Sequence, residues 1–193
     1  MSLATDIVLR GLRVTLRPFG IEQMTTRYLG WLNDPEVNRW SRRSEMGNID
    51  EVAARAYLKS LVDDERILGI HLAGDGHIGN IKFGPIDWAN SRTDISIVIG
   101  ERHVWGRGVG AEAVYLVSQY LFETLGLNRL DAGSCNPAFV KMVQNIGWRV
   151  EGVLRERVRL GDQFYPYTIL AQLRSEFARL DRFEVPYVNS GLS

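Results

Sequence analysis

The chain has 193 residues, 45% of them hydrophobic, with Lys+Arg and Asp+Glu both at 23, a formal net charge of zero, and a single cysteine. This is the size of one ordinary domain with a sizeable core; zero net charge excludes the global basic field of a nucleic-acid binder, and a lone cysteine excludes an internal disulfide and fits a cytoplasmic setting. No apolar run reaches the ~18–20 residues of a membrane span, and the opening Met-Ser-Leu-Ala-Thr-Asp has neither the basic n-region nor the apolar h-region of a signal peptide.

In chain order, Ile7 to Phe19 is rich in β-formers and alternates at Val14-Thr15-Leu16-Arg17, which predicts a strand or a hairpin turning at Gly11. Ile21 to Leu32 reads as a helix stopped by Trp31-Leu32-Asn33-Asp34-Pro35, with Pro35 placed to open another short helix at its first position. Asp50 to Val62 carries Ala53, Ala56, Tyr57 and Leu61 at helical intervals. Arg66 to Ala73 and His77 to Phe83 are strands joined across Gly74-Asp75-Gly76, the second running on toward Trp88. After a turn at Ala89-Asn90-Ser91, Asp94 to Ile99 is an apolar run suited to a buried strand. Ala111 to Leu125 is a long helix, Leu127 to Ala132 a strand, and Pro137 to Ile146 a helix capped by Asn136. Trp148 to Leu160 and Gln163 to Leu173 form a hairpin across Gly161-Asp162, and Ser175 to Phe183 reads as a closing helix. About seven strands and four or five helices in this order predict an α/β (α+β) fold: a mixed, mostly antiparallel sheet with helices on both faces.

The stretch from Asp94 to Leu125 organises the rest. A buried strand, a glycine-rich turn at Gly106-Arg107-Gly108-Val109-Gly110 and a helix succeed one another. Glycines let the backbone curl close to a ligand, and the first helical turn offers unpaired N–H groups at the positive end of the dipole. An anion, a pyrophosphate by this reading, is expected near Trp105 to Ala111. The turn is neither of two better-known phosphate motifs. GxxxxGK followed by Ser or Thr is missing, and several strands' worth of chain precede a turn that a dinucleotide fold would place first.

Ile97 to Ala113 (IVIGERHVWGRGVGAEA) resembles the cofactor motif of the GNAT superfamily of acetyl-CoA-dependent N-acetyltransferases, RimJ/RimL type. A second block follows at the expected distance: Asn136, a helix, then Gly147-Trp148 and Glu151-Gly152. The resemblance covers about residues 7 to 177 and implies a single acetyltransferase domain over the whole chain. It implies acetyl-CoA as co-substrate and no metal. The N–H groups of Gly106, Gly108, Val109 and Gly110, together with Trp105 and Arg107, are then the pyrophosphate seat. Ile97, Val98 and Ile99 pair with the amide-bearing pantetheine arm where a β-bulge splays the strand from its neighbour, and an N–H near Val98 polarises the thioester carbonyl. Asn136 matches the asparagine that contacts the same arm, and helix capping is compatible with that role.

For the base, Asp94 leads, since it stands at the start of the central strand where relatives often carry Glu; a solvent-facing edge acid is the alternative. His71, His77 and His103 are other candidates, and none of them forms a metal-ligand spacing with Cys135. Cys135 itself reads as a small buried side chain, and Glu151 as structural. Three and seven residues after Asn136, where branches of the superfamily carry a Ser or a Tyr proton donor, the chain has Phe139 and Val143, so the resemblance names no acid. The acceptor side falls to the first third: Trp31, Asn33, Trp40 and Arg42, in a WLNDPEVNRW stretch similar to acetyltransferases of nucleotide-linked amino sugars. Packing of the two tryptophans and solvation of the arginines is the alternative there. The expected partner is a small-molecule amine or a protein N-terminus, with no nucleic acid and no membrane, and with a homodimer left open. A module that senses acyl-CoA without turnover is the rival of a different class.

Overall fold

The computed structural model describes residues 6–45, 47–60, 65–180 and 183. Alternation sets its first elements. Val14 and Leu16 are buried while Arg17 is exposed, and this strand, β2 (Val14–Pro18), pairs back on the two-residue β1 (Leu9–Arg10) with Leu9 opposite Leu16. The hairpin closes at Gly11, whose N–H donates to Val14 O at 2.9 Å. The remaining strands are β3 (Arg66–Leu72), β4 (Gly76–Phe83), β5 (Arg92–Ile99), β6 (Arg129–Ser134), β7 (Arg149–Leu160) and β8 (Gln163–Leu173). They make one sheet in the order β1-β2-β3-β4-β5-β6-β8-β7, in which only β5 and β6 are parallel neighbours.

There are four α-helices among the described residues: α1 (Thr26–Asn33), α2 (Glu51–Lys59), α3 (Val109–Gln119) and α4 (Pro137–Gln144). The helix expected from Ile21 breaks after a 3-10 turn at Ile21–Gln23, because Thr25 caps a new helix by accepting Tyr28 N–H on its hydroxyl at 3.2 Å. Pro35 opens no helix; turns run through residues 35–40 to a 3-10 turn at Arg42–Glu45. α2 starts behind Asp50, which caps Ala53 N–H at 2.8 Å, and the last residues expected in it, 61 and 62, lie outside the described ones. β4 stops at Phe83 rather than continuing to Trp88; past it only Asp87 bridges to Arg92. α3 widens into a π-helical turn at Tyr120–Thr124. Among the described residues a 3-10 turn, Arg174–Glu176, stands in place of the closing helix, and residues 181 and 182 of that expectation lie outside the described ones. The strand count among the described residues is eight because the N-terminal segment is a hairpin and not one strand.

Two cores lie on opposite faces of the sheet. On one face Leu16, Leu68, Ile81, Ile95, Leu130 and Leu170 pack beneath α3 and α4. On the other, Phe19 and Ile67 pack beneath Tyr28 and Trp31 of α1 and Ala54 and Leu58 of α2. Since successive residues of a strand point to opposite faces, Ile95 facing α3 puts Asp94 and Ser96 on the α1 and α2 side. Leu130 and Leu170 do the same for Asp131 and Tyr167.

Candidate functional site

β5 and β6 run side by side only from Arg92 opposite Arg129 to Asp94 opposite Asp131. Beyond that pair β6 stays with β8 and β5 with β4, so a gap opens between them. Backbone groups on β5 alternate sides. Asp94 O accepts from Gly84 N–H and Gly100 N–H donates to Ile78 O, so the even-numbered residues face β4. Ile97 and Ile99 therefore turn their N–H and C=O groups to the gap. The Ile99 carbonyl is taken by the Trp105 indole N–H at 2.8 Å, which leaves Ile97 N–H, Ile97 C=O and Ile99 N–H along the parted edge. Val98 faces β4, and a Cβ at Gly79 would collide with its carbonyl, so the edge donors are those of Ile97 and Ile99. The β-bulge recorded nearby lies across β3 and β4, between Ile70 and His71, one strand away from the expected place.

At the end of β5 the chain turns through Gly106 and Gly108, at φ +73° and +80°, and Gly108 is the N-cap of α3. An L-residue is strained in that left-handed conformation. Gly110 has a packing reason instead: a Cβ there would lie 3.1 Å from Met142 Sδ and 3.6 Å from Ile99 Cγ1, so its absence lets α3 settle against α4 and β5. The turn is braced from outside. Arg13 donates to Arg107 O at 2.6 Å and, through Nε, to Glu112 Oε2 at 2.7 Å. The fully buried Glu112 also accepts Arg13 N–H at 2.7 Å and Val14 N–H at 3.3 Å. A carboxylate in the first helical turn would otherwise oppose an anion there, and Arg13 neutralises it. The Arg107 side chain is exposed, within reach of that end of the helix. Asn136 caps α4, its Oδ1 accepting Ala138 N–H at 2.9 Å, which leaves the side-chain NH2 available.

The opposite face is cut by two communicating clefts. A narrow one of about 280 Å³ is lined by Asp94, Ser96, Asp131, Gly133 and Tyr167. A wide one of about 840 Å³ shares Gly133 and Tyr167 and continues to Trp40, Arg42, Arg157 and Arg159. Enclosure by protein raises the Asp94 carboxyl above its ordinary range; the charges of Asp131 and Glu65 add to the rise and Lys82 opposes it. Asp131 is already committed, to Arg129 Nε at 2.7 Å. Desolvation also raises the Tyr167 phenol, which Cys135 and Asp94 reinforce and Arg157 opposes. Tyr167 thus keeps its proton at neutral pH.

The acceptor candidates divide. Trp40 and Arg42 line the wide cleft, with Trp40 edge-on to Tyr165 at 5.4 Å. Trp31 is buried against Gly100, its indole N–H on Glu101 at 3.2 Å. Asn33 spends its side chain on Leu29 O, Ile49 O and Ile49 N–H, so it holds the overhanging loop in shape. His71 and His77 stack at 5.3 Å beside Trp31, and burial lowers both, while His103 sits on Asp75; none of the three lines either cleft. Cys135 donates its thiol proton to Trp40 O at 3.2 Å, and burial pushes its thiol up, away from a nucleophilic thiolate. Glu151 is bound to Arg129 at 2.8 Å. No group of three or more metal-ligating side chains gathers among the described residues, and no helix among them is long and apolar enough to cross a membrane. Sequence reasoning passed over Glu112, Asp131, Tyr167, Arg157 and Arg159. Only Glu112, acidic in a first helical turn, carried a local signal.

The family described as acetyltransferase (GNAT) domain matches residues 13–149. The N-acetyltransferase p20 of Bacillus licheniformis is 28% identical over 174 residues, 86% of this chain and 96% of its own. Among solved structures, a GNAT-family acetyltransferase from Bacillus anthracis superposes with a TM-score of 0.72 at 19% identity, over 88% of this chain and 100% of the other. A spermidine N-acetyltransferase from Vibrio cholerae, in complex with CoA and spermine, superposes with a TM-score of 0.73 at 19% identity, over 85% and 97%. At that identity the structures speak for the fold alone, whereas the family match spans well over half the chain. With the parted strands, the glycine turn and this match in agreement, the chain belongs to the GNAT acetyltransferase family and is an acetyltransferase enzyme.

Proposed function

We propose that the protein moves an acetyl group from acetyl-CoA directly to the primary amine of a small molecule, with a nucleotide-linked amino sugar as the favoured class. One observation carries this reading: β5 and β6 part just past the Asp94–Asp131 pair, on the strand that leads from the Asp94 cleft to the glycine turn before α3. The open edge and the glycine turn suit a long, amide-bearing pyrophosphate ligand. N–H groups between Gly106 and Gly110 hold the pyrophosphate, with Trp105 closing the turn and Arg107 as countercharge. Ile97 and Ile99 pair with the pantetheine arm as an added strand, Val98 keeps that edge in place from the β4 side, and Asn136 meets the arm with its free NH2. Bound acetyl-CoA supplies the activated acyl group.

The remaining work falls to this chain's own side chains. Ile97 N–H polarises the thioester carbonyl. An alkylamine has a pKa of about 10 and arrives protonated; Asp94 takes its proton, directly or through water. Tyr167, protonated at neutral pH, faces the same gap and donates to the departing thiolate, the role that Phe139 and Val143 cannot fill. Trp40 and Arg42 hold the body of the acceptor, and Trp31 and Asn33 keep their loop in place.

The test is thiol release from acetyl-CoA with amino-sugar nucleotides, polyamines, aminoglycosides and peptides starting with Ser or Ala, with cofactor binding followed by thermal shift in the same samples. Turnover with the amino-sugar nucleotides supports the reading. Turnover confined to peptides makes the acceptor a protein N-terminus instead. Absence of any acetyl-CoA binding sinks it.

A further inference from the structure

The wide cleft carries a positive excess that acetyl transfer does not itself require. Three guanidiniums, Arg42, Arg157 and Arg159, line it against one carboxylate, Glu45. Glu45 is committed, accepting Gly161 N–H at 2.6 Å. Arg159 is steadied by Gly161 O at 2.9 Å and by the exposed Asp162 at 3.3 Å. Arg42 and Arg157 have no carboxylate partner among the described residues. In a chain of zero net charge this is a local concentration.

The backbone shows how it is built. The β7–β8 register shifts between Leu154 and Val158, and within that shift Glu156 takes a left-handed φ of +51°. A bulge re-aims side chains, and a non-glycine residue at positive φ is uncommon enough to need a local cause. Here the flanking Arg157 lines the same cleft as Arg42, which comes from the 3-10 turn Arg42–Glu45 more than 100 residues away in sequence. The narrow cleft, sharing Gly133 and Tyr167, is lined instead by the carboxylates of Asp94 and Asp131. Asp131 is paired with Arg129, so the groove runs from a cationic end to the carboxylate of Asp94.

We propose that Arg42 and Arg157, with Arg159 lining the same cleft, form a subsite for a phosphate or diphosphate group of the acceptor. The acceptor is then an amine and a phosphate ester in one molecule, its ammonium toward Asp94 and its phosphate in the arginine forks, which match phosphate oxygens two at a time. Polyamines and basic peptides meet the wrong charge at this end. The amine end rests on the acetyl-transfer reading above; the anion end does not.

Two measurements separate them. In the first, uridine diphosphate is titrated calorimetrically into protein saturated with CoA, so that the coenzyme's own anion seat is filled. Saturable binding is expected, weakened at least tenfold in the Arg42→Ala/Arg157→Ala double variant, partly restored by lysine at both positions, and falling with salt. No saturable binding, or equal affinity in the double variant, overturns the subsite whatever the transfer assay gives. In the second, a phosphorylated amino sugar is compared with the same sugar lacking phosphate. The ratio of their kcat/KM values is expected to be at least tenfold in the unaltered protein and to fall toward one in the double variant, through KM. A ratio near one in the unaltered protein, or one that the substitutions leave intact, also overturns it. Diphosphate binding without transfer to any amine leaves the subsite standing and removes the acetyl-transfer reading. Competition by inorganic phosphate alone supports an acceptor with a terminal phosphate; competition that needs the diphosphate supports a nucleotide-linked one.

Discussion

Arg13 Nε lies 2.7 Å from Glu112 Oε2, a pair that ties the turn before β2 to the first turn of α3 across 99 residues of chain. The same arginine reaches Arg107 O, so one side chain neutralises the buried acid and braces the glycine turn. Glu112→Ala removes the acceptor for Arg13 N–H and Val14 N–H and leaves the Val14 donor buried and the Arg13 donor partly so. It is expected to cost on the order of 3 kcal/mol, with the charge–charge part discounted because Arg13 is half exposed. Glu112→Gln should cost less, since an amide oxygen still accepts one donor. Urea denaturation reads both, and acetyl-CoA affinity should fall with stability. A midpoint that does not move in the alanine variant would remove this pair from the account.

Gly108 tests the pyrophosphate seat. Alanine there is strained at φ +80°, by about 1–2 kcal/mol, and its Cβ falls 3.0 Å from an Arg13 guanidinium nitrogen. Gly108→Ala should weaken acetyl-CoA binding moderately. Gly108→Glu adds a carboxylate where the anion would sit and should weaken it by at least tenfold. Isothermal titration checks both, and unchanged affinity for Gly108→Glu would mean that no pyrophosphate sits on this turn.

Asp94 carries a raised carboxyl, and the sign of its effect follows. The folded protein holds the proton more tightly than the unfolded chain, so ionised Asp94 weakens the fold above the folded pKa and ceases to do so as pH falls below the unfolded one. Asp94→Asn is therefore expected to raise the melting temperature at neutral pH, with the gain vanishing in acid. The same substitution should abolish the acidic limb of the kcat/KM profile together with most of the rate. A variant that kept its full rate at every pH would show that Asp94 is not the base.

Tyr167 supplies the proton donor in this reading. Tyr167→Phe should lower kcat by about 100-fold while leaving the KM for acetyl-CoA nearly unchanged. The alkaline limb, set by a phenol whose pKa is raised, should disappear with it. Gly133→Ala gives an independent route, because a Cβ at Gly133 would lie 2.6 Å from the Tyr167 hydroxyl and displace the ring. Both variants should lose kcat in the same way. A Tyr167→Phe enzyme with normal kcat would assign the proton to water.

The elements most legible in the sequence were those whose signal is local. Asp50 and Asn136 announce their helices by capping them, and the Gly106–Gly110 turn announces itself because positive φ demands glycine. The break at Thr25 was missed because the apolar spacing from Ile21 onward continues across it, and only a cap on Tyr28 N–H ends one helix and starts another. The side to which Val98 turns its backbone was not legible for a different reason. Which backbone groups of β5 face the gap depends on its register with β4, and a shift of one residue reverses it.

By itself the sequence determined the strand, the glycine turn and the helix that follow one another between Asp94 and Gln119, because these rest on backbone geometry encoded within about 20 residues, and the motifs they carry pointed to the acetyltransferase family. Tertiary structure alone decided the reacting side of the sheet. Asp94, Asp131 and Tyr167 come from β5, β6 and β8, and they meet only because β5 and β6 part after three paired residues and the alternation of those three strands puts their side chains on one face, while Arg157 joins that face at the register shift of β7. Arg13 and Glu112 depend in the same way on β2 lying against α3. Pairings of that kind are fixed by register and packing between segments far apart in the chain, and no short stretch of residues carries them.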